Sequence, residues 1–292
     1  MNSRKILYGA ICVLCAMSLL SCEKTPTGGD DAGVAQTPSM MVMSFNVRSR
    51  NMTEQKEQDK WDNRRDACCA MINFYRPVLL GVQECDKVQR DYIQSKCRGY
   101  GVVGRSKDSD VNGEQNSLFY LKDSISVLES GTFWLTDTPD QVSKLDGHYH
   151  YRNATWIKAL HKSTNNVFYY INTHLDNCGN DFRSVELAYL LDFVKKNCED
   201  YPVVMTADWN EHDEHSLFKD MYKTFKNARF VANITDKGAT FNNFGANTDY
   251  LRIDHVFYRG FEACSKFAAD RQPWLGHAYI SDHYPVYAIL HF

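Results

Sequence analysis

The chain has 292 residues, 43% of them hydrophobic and 13% aromatic, with a formal net charge of −3. That is enough apolar material for one large core or two small ones, and no internal repeat divides it. Arg4 and Lys5 lie in the first 21 residues, which hold no acidic group, so the remainder stands at −5; this balance argues against broad, sequence-independent nucleic-acid binding, which needs a basic stripe, but not against a small anion held by two or three local cations.

The N-terminus reads as an address. Arg4 and Lys5 precede an apolar run from Ile6 to Leu20, short for a membrane span and followed by no stop-transfer charges. Leu19-Leu20-Ser21-Cys22 resembles a bacterial lipoprotein signal, in which the cysteine is lipidated and becomes the new N-terminus; an ordinary cleaved signal peptide is the alternative. Residues 1–21 are therefore expected to be removed, Cys22 to anchor the chain to a membrane, and residues 22–38, rich in Thr, Gly, Asp and Pro, to form a tether. A single domain is expected over 39–292, exported to the periplasmic or cell-surface side. Seven cysteines remain in it (Cys68, Cys69, Cys85, Cys97, Cys178, Cys198 and Cys264), an odd number that cannot pair completely; most are expected as small buried residues.

In chain order, short apolar runs end repeatedly in polar residues of catalytic type. Met40 to Phe45 closes with Asn46, and Val78 to Val82 with Gln83 and Glu84. Trp61 to Tyr75 has apolar residues at helical spacing (Ala67, Met71, Phe74). Ser117 to Leu121, Ile125 to Leu128, Ala154 to Leu160 and Val167 to Ile171 read as strands, several joined by hairpins. The last of these is followed by Asn172, Thr173, His174, Leu175 and Asp176. Phe182 to Val194 is a second amphipathic helix, and Val203 to Met205 leads into Thr206-Ala207-Asp208-Trp209-Asn210. Asp254 and His255 sit in the run around Ile253, and Asp282 and His283 precede the final strand. Strand–helix pairs mixed with hairpins predict an α/β chain with two mixed sheets packed face to face and helices outside. Six polar strand ends suggest one site built on a rigid scaffold.

The ordered set "SFN" (44–46), "VQE" (82–84), "NTHLD" (172–176), "ADWN" (207–210), "RID" (252–254) and "SDHYPV" (281–286) resembles the endonuclease/exonuclease/phosphatase superfamily from Met40 onward. "WDNRRD", "GTFWLTDTPD" and "NATW" are similar to a compact bacterial branch of it. The resemblance implies a DNase I-like, four-layer α-β-β-α sandwich and hydrolysis of a phosphate ester by an activated water. It implies Mg²⁺ or Mn²⁺ on Glu84, with Asn46 and Asp282 supplying further oxygens directly or through water. Asp208 would hold or deprotonate the water, and Asn210 would bind a phosphate oxygen or orient that carboxylate. His283, oriented by Asp254, would donate to the phosphoryl group, and His174 would contact it from the opposite side.

Two departures stand out. Ala207 occupies a position where the motif usually has glycine, which restricts the backbone. Arg48 stands where some nuclease branches carry a second acidic ligand; this counts against a second metal and makes Arg48 a candidate phosphate contact. Arg152 is another such contact, a surface salt bridge being the equal alternative. His148 and His150 have a zinc-compatible spacing but no adjacent third ligand, and are expected in a solvated loop. His212 and His215 are expected to open a helix at the site rim, His255 to be structural, and Trp134 and Trp156 to be core.

The expected activity is that of a lipid-anchored, monomeric phosphoesterase acting on a small or lipid-derived phosphate ester. A nuclease of the same fold and a non-catalytic binding lipoprotein are the alternatives. Nucleic acid is disfavoured by the charge balance, and loss of catalysis by the presence of Glu84 and His283. Loops 104–116, 137–152 and 236–250 are expected to set substrate choice.

Overall fold

The structure is a computed structural model that describes residues 38–54, 56–246 and 251–292. The signal, the lipidation at Cys22 and the tether lie outside the described residues, among which no helix is long and apolar enough to cross a membrane. The strands are β1 (Ser39–Asn46), β2 (Leu79–Gln83), β3 (Tyr100–Val103), β4 (Leu118–Leu121), β5 (Ile125–Trp134), β6 (Asn153–His161), β7 (Asn166–His174), β8 (Val203–Asp208), β9 (Lys226–Asn227), β10 (Ile234–Thr235), β11 (Asp254–Arg259), β12 (Ala263–Ala269) and β13 (Val286–His291). The helices are α1 (Trp61–Tyr75), α2 (Lys87–Lys96), α3 (Asn180–Asn197) and α4 (Ala228–Val231).

Seven strands form one mixed sheet in the order β10-β12-β13-β1-β2-β4-β3, and six form the other in the order β5-β6-β7-β8-β11-β9. Strand periodicity explains why they stack. On β1, Met40 and Val42 enter the core between the sheets, whereas Met43 and Phe45 enter a second core with Ala67, Met71 and Ile72 of α1. On β7, Phe168 and Tyr170 face the first sheet, while Tyr169 and Ile171 pack with Leu187, Leu190 and Val194 of α3. Strands buried on both faces must be apolar at successive positions, which is why β1, β2, β7 and β8 read as continuous runs. Three stacked cores thus produce the expected α-β-β-α sandwich.

α1 has the expected bounds and ends at Arg76, in the left-handed region with φ 46°. α2 escapes detection in the sequence because it buries only Gln89 and Ile93; it is started by a capping box between Asp86 and Gln89. β5 runs six residues beyond its expected end, and β3 and β12 are additional strands. Six of the seven cysteines are buried and Cys178 is exposed, all seven as free thiols.

Polar groups also cross the inter-sheet core. Asn172 of β7 donates to the carbonyl oxygens of Val82 (2.9 Å) and Ser117 (3.1 Å), and accepts from Gln83 (2.7 Å) and Thr206 (3.0 Å). The Asn172 amide thus has partners on both its nitrogen and its oxygen, and such polar contacts between layers fix their register. Gly81 makes room for it, since a Cβ there would meet Asn172 Oδ1 and Thr206 Oγ1 at 2.3 Å. Gly81→Ala should therefore destabilise the fold by about 1–3 kcal/mol. Denaturant unfolding checks this; a midpoint equal to that of the parent would show that the sheets have room to part.

His255 lies in the opposite core, its ring against Phe218 and Phe257 and its Nε2–H donated to the Glu211 carbonyl at 2.9 Å. Burial lowers its pKa to about 4. A depressed folded pKa means that this stabilisation is complete above the unfolded value of about 6.5 and is lost as pH falls from there through 4. Parent protein should lose more thermal stability between pH 7 and pH 4.5 than His255→Gln; equal losses in the two proteins would contradict a buried neutral ring.

Candidate active site

Topology gathers the polar strand ends at one edge of the sandwich. β1 and β2 are parallel and finish together at Asn46 and Gln83, followed by Glu84. β7 and β8 are parallel, with His174 level with Asp208. β11 runs antiparallel to β8, so its first residue, Asp254, pairs with the last residue of β8, Asp208. β13 is antiparallel to β1, which brings Asp282 and His283, just before it, to the same edge. Strand ends and the first residues of antiparallel neighbours therefore meet from both sheets.

Asn46 is the junction. Its amide Nδ2 donates to Glu84 Oε1 at 2.9 Å and Asp208 Oδ2 at 3.0 Å, while its Oδ1 accepts from the Arg48 backbone N–H at 3.0 Å. Asn46 thus turns N–H groups, not its oxygen, toward the carboxylates. His283 Nδ1 lies 2.9 Å from Asp254 Oδ2, and its Nε2 lies 3.6 Å from Asp208 Oδ2. His174 Nε2 is 3.4 Å from the same oxygen and accepts from Asn210 Nδ2 at 2.9 Å; the Asn210 backbone N–H donates to Asp208 Oδ1 at 3.0 Å. Asp282 meets Arg48 Nη1 at 3.1 Å, and Arg48 also binds Glu54 at 2.8 Å. Glu84, Arg48 and Asn210 have positive φ (55°, 56° and 51°), a backbone strain that clusters at functional sites.

Burial sets the electrostatics. Burial, reinforced by Asp254, pushes the Asp208 carboxyl up to about 7 against the pull of His283 and Asn46. Burial also raises Asp282, with Glu84 adding to it. Glu84 is held low although burial opposes this, because Asn46, His283 and Arg48 favour its carboxylate. Burial would lower His283, but Asp254 and Asp208 outweigh it and hold the imidazolium up at about 10. His174 goes the other way: burial, then Arg152 and Lys107, keep it well below its ordinary value. One histidine is charged and the other neutral.

A divalent ion fits this donor set. Glu84, His174 and Asp208 each offer a ligand atom within 4.8 Å of the others, and Asp282 adds a carboxylate whose ionised form burial disfavours. A surplus of buried carboxylate oxygens suits a hard cation such as Mg²⁺ or Mn²⁺.

These residues line a cavity of about 490 Å³, together with Arg48, Arg152, Lys107, Glu114, His150, Asn177 and Phe241. Lys107, His150 and Phe241 come from the three loops expected to set substrate choice, although no local motif singled out Lys107 or Phe241. Arg152 is buried, not on the surface, with Nη2 3.4 Å from Asp176 Oδ2. His148 is likewise 5% exposed rather than solvated, because its ring packs on Phe182. His215 caps a short 3-10 turn at Ser216–Phe218. Trp134 is core and donates to the Lys107 carbonyl; Trp156 lines another cavity, of about 480 Å³, beside Phe193 and Tyr189.

The model of the Endonuclease/Exonuclease/phosphatase family matches residues 43–283, so the chain belongs to that family. The chain is 28% identical over 286 residues to an uncharacterized protein of Acanthamoeba polyphaga mimivirus, a match covering 86% of this chain and 99% of that one. An endonuclease/exonuclease/phosphatase family protein from Bacteroides thetaiotaomicron has a similar structure, with TM-score 0.80 and 26% identity over 88% of this chain and 99% of that one. The mannosyl-6-phosphatase of Bacteroides thetaiotaomicron VPI-5482 is similar at TM-score 0.79 and 26% identity, over 87% of this chain and all (100%) of the other. Family and neighbours together make this a chain of the phosphoester-hydrolase kind.

Proposed function

We propose that this member of the endonuclease/exonuclease/phosphatase family hydrolyses a small phosphate ester outside the cytoplasm, in a divalent-metal-dependent reaction in which water attacks phosphorus. The observation that carries this reading is the geometry of His283, whose Nδ1 is fixed by Asp254 and whose Nε2 is set beside Asp208, with Asn46 joining Asp208 to Glu84. Mg²⁺ or Mn²⁺ on Glu84 and Asp282 would supply Lewis-acid relief of phosphoryl charge when bound.

The chain's own residues divide the remaining work. Asp208, poised near neutrality, accepts a proton from the attacking water, since an effective base has a pKa near the working pH. His283 presents an imidazolium N–H to the phosphoryl oxygens, where preorganised donors act most strongly out of bulk water. Asn210 ties His174 to the Asp208 turn and orients both. Asn46 holds Glu84 and Asp208 at a fixed separation, and Arg48, Arg152 and Lys107 make the cavity attractive to an anion.

A cavity of this size suits one small molecule. The mannosyl-6-phosphatase neighbour supports a sugar phosphomonoester as the first substrate to try. The Arg4–Cys22 sequence supports export and membrane anchoring by a lipid on Cys22; the domain is proposed to act as a monomer.

Hydrolysis should be measured over sugar phosphates, an aryl phosphodiester, sphingomyelin, an inositol phosphate, RNA and abasic-site DNA, with Mg²⁺, Mn²⁺ or EDTA. EDTA should abolish activity and added metal restore it. Glu84→Gln, Asp208→Asn and His283→Ala should each lower kcat roughly 10²–10⁴-fold with the circular dichroism unchanged. Near-parental turnover in all three would contradict the assignment, and activity confined to nucleic acid would replace the small-ester reading with a nuclease.

A further inference from the structure

Among the carboxylates that line the catalytic cavity, Glu84, Asp208 and Asp282 belong to the hydrolytic machinery and Glu114 does not. Glu114 lies in the loop between β3 and β4, beside Lys107 of the same loop. A carboxylate facing a phosphate pocket works against anion binding unless some part of the substrate donates to it. We propose that Glu114, held by Lys107, accepts hydrogen bonds from hydroxyl groups on the alcohol portion of the ester, and so selects phosphate esters of polyhydroxylated alcohols such as sugars. This selection rests on the hydrolytic reading of the cavity and adds to it the residues that choose the leaving alcohol.

The Lys107–Glu114 pair is fixed at several points. Lys107 Nζ donates to Glu114 Oε2, and the Lys107 backbone N–H donates to the Glu114 carbonyl at 2.9 Å. The Lys107 carbonyl accepts from the indole N–H of the fully buried Trp134 at 2.6 Å. The next rung of the same loop pairs Ser106 with Gln115. Side chains held in this way lose little further freedom when a ligand binds.

The capacity left over is what a diol needs. Glu114 Oε1 has no protein partner among the described residues, and a carboxylate accepts about four hydrogen bonds. The Lys107 ammonium likewise keeps N–H groups that Glu114 does not take. An acceptor and a donor side by side match adjacent hydroxyl groups, each of which both donates and accepts. The ion pair also closes its loop, but closing the loop does not require both charges to line the cavity.

The rest of the cavity suits the same class of substrate. Phe241, Leu251 and Ile253 give it an apolar surface, with the Phe241 ring centre 4.9 Å from that of His283. A sugar presents a C–H face and a hydroxyl edge and so meets both kinds of wall at once, whereas a simple alkyl ester has no group for Glu114.

Hexose 6-phosphate and propyl phosphate both release a primary alcohol and differ in their hydroxyl groups. Their kcat/KM values should be measured with Mg²⁺ or Mn²⁺ in the full chain, for the parent, Glu114→Ala and Glu114→Gln. The parent should favour the hexose ester. Glu114→Ala should shrink that preference roughly 10–100-fold, through the KM of the hexose ester rather than kcat, as expected for lost hydrogen bonds to a charged group. Glu114→Gln, which keeps an acceptor oxygen, should recover part of it. A preference unchanged in Glu114→Ala would overturn the selection and leave the hydrolytic reading intact. So would a parent that hydrolyses both esters equally well, or other phosphate esters but not the hexose ester, results that do not depend on the variants folding. A parent with no activity on any ester would overturn the hydrolytic reading, and the selection with it.

Discussion

Four carboxylates, those of Glu84, Asp208, Asp254 and Asp282, are crowded into one edge of a β-sandwich, and the site depends on how their charge is balanced. Ionised groups out of water are costly unless cations or donors meet them. Here Asp254 is met by His283, Asp282 by Arg48, and Glu84 and Asp208 by the amide of Asn46. The balance is incomplete, and burial drives Asp208 and Asp282 toward their protonated forms. A pocket that holds carboxylates at this disadvantage would be relieved by the divalent cation proposed to bind there.

The same crowding explains the division between the two histidines. His283 sits between Asp254 and Asp208 and stays charged; His174 faces Arg152 and Lys107 from a buried position and stays neutral. The β7–β8 and β8–β11 registers place both rings at Asp208, so sheet topology fixes the distances that the chemistry requires. Polar residues between the sheets, with Asn172 at their centre, hold the two layers whose edges carry these groups.

Much of this was legible in the sequence because the signals are local. Apolar runs buried on both faces announced β1, β2, β7 and β8, and the polar residue closing each run marked the site edge. α2 was hidden because most of its residues face solvent, and β12 because "ACSKFAA" carries little alternation. The orientation of the Asn46 amide is set by the Arg48 backbone N–H, a contact no motif encodes. His148 and His150 looked solvated because their partner Asp176 is distant in sequence; only the β6–β7 pairing and the start of α3 bring these segments together.

Calorimetric titration of Mn²⁺ into the parent chain, Glu84→Gln and Asp282→Asn tests the charge balance most directly. Binding near the proposed site should stabilise the parent and weaken sharply in both variants, because each removes an oxygen that the ion would neutralise. A parent that binds no divalent ion and yet hydrolyses a phosphate ester in EDTA would contradict the role given to these carboxylates.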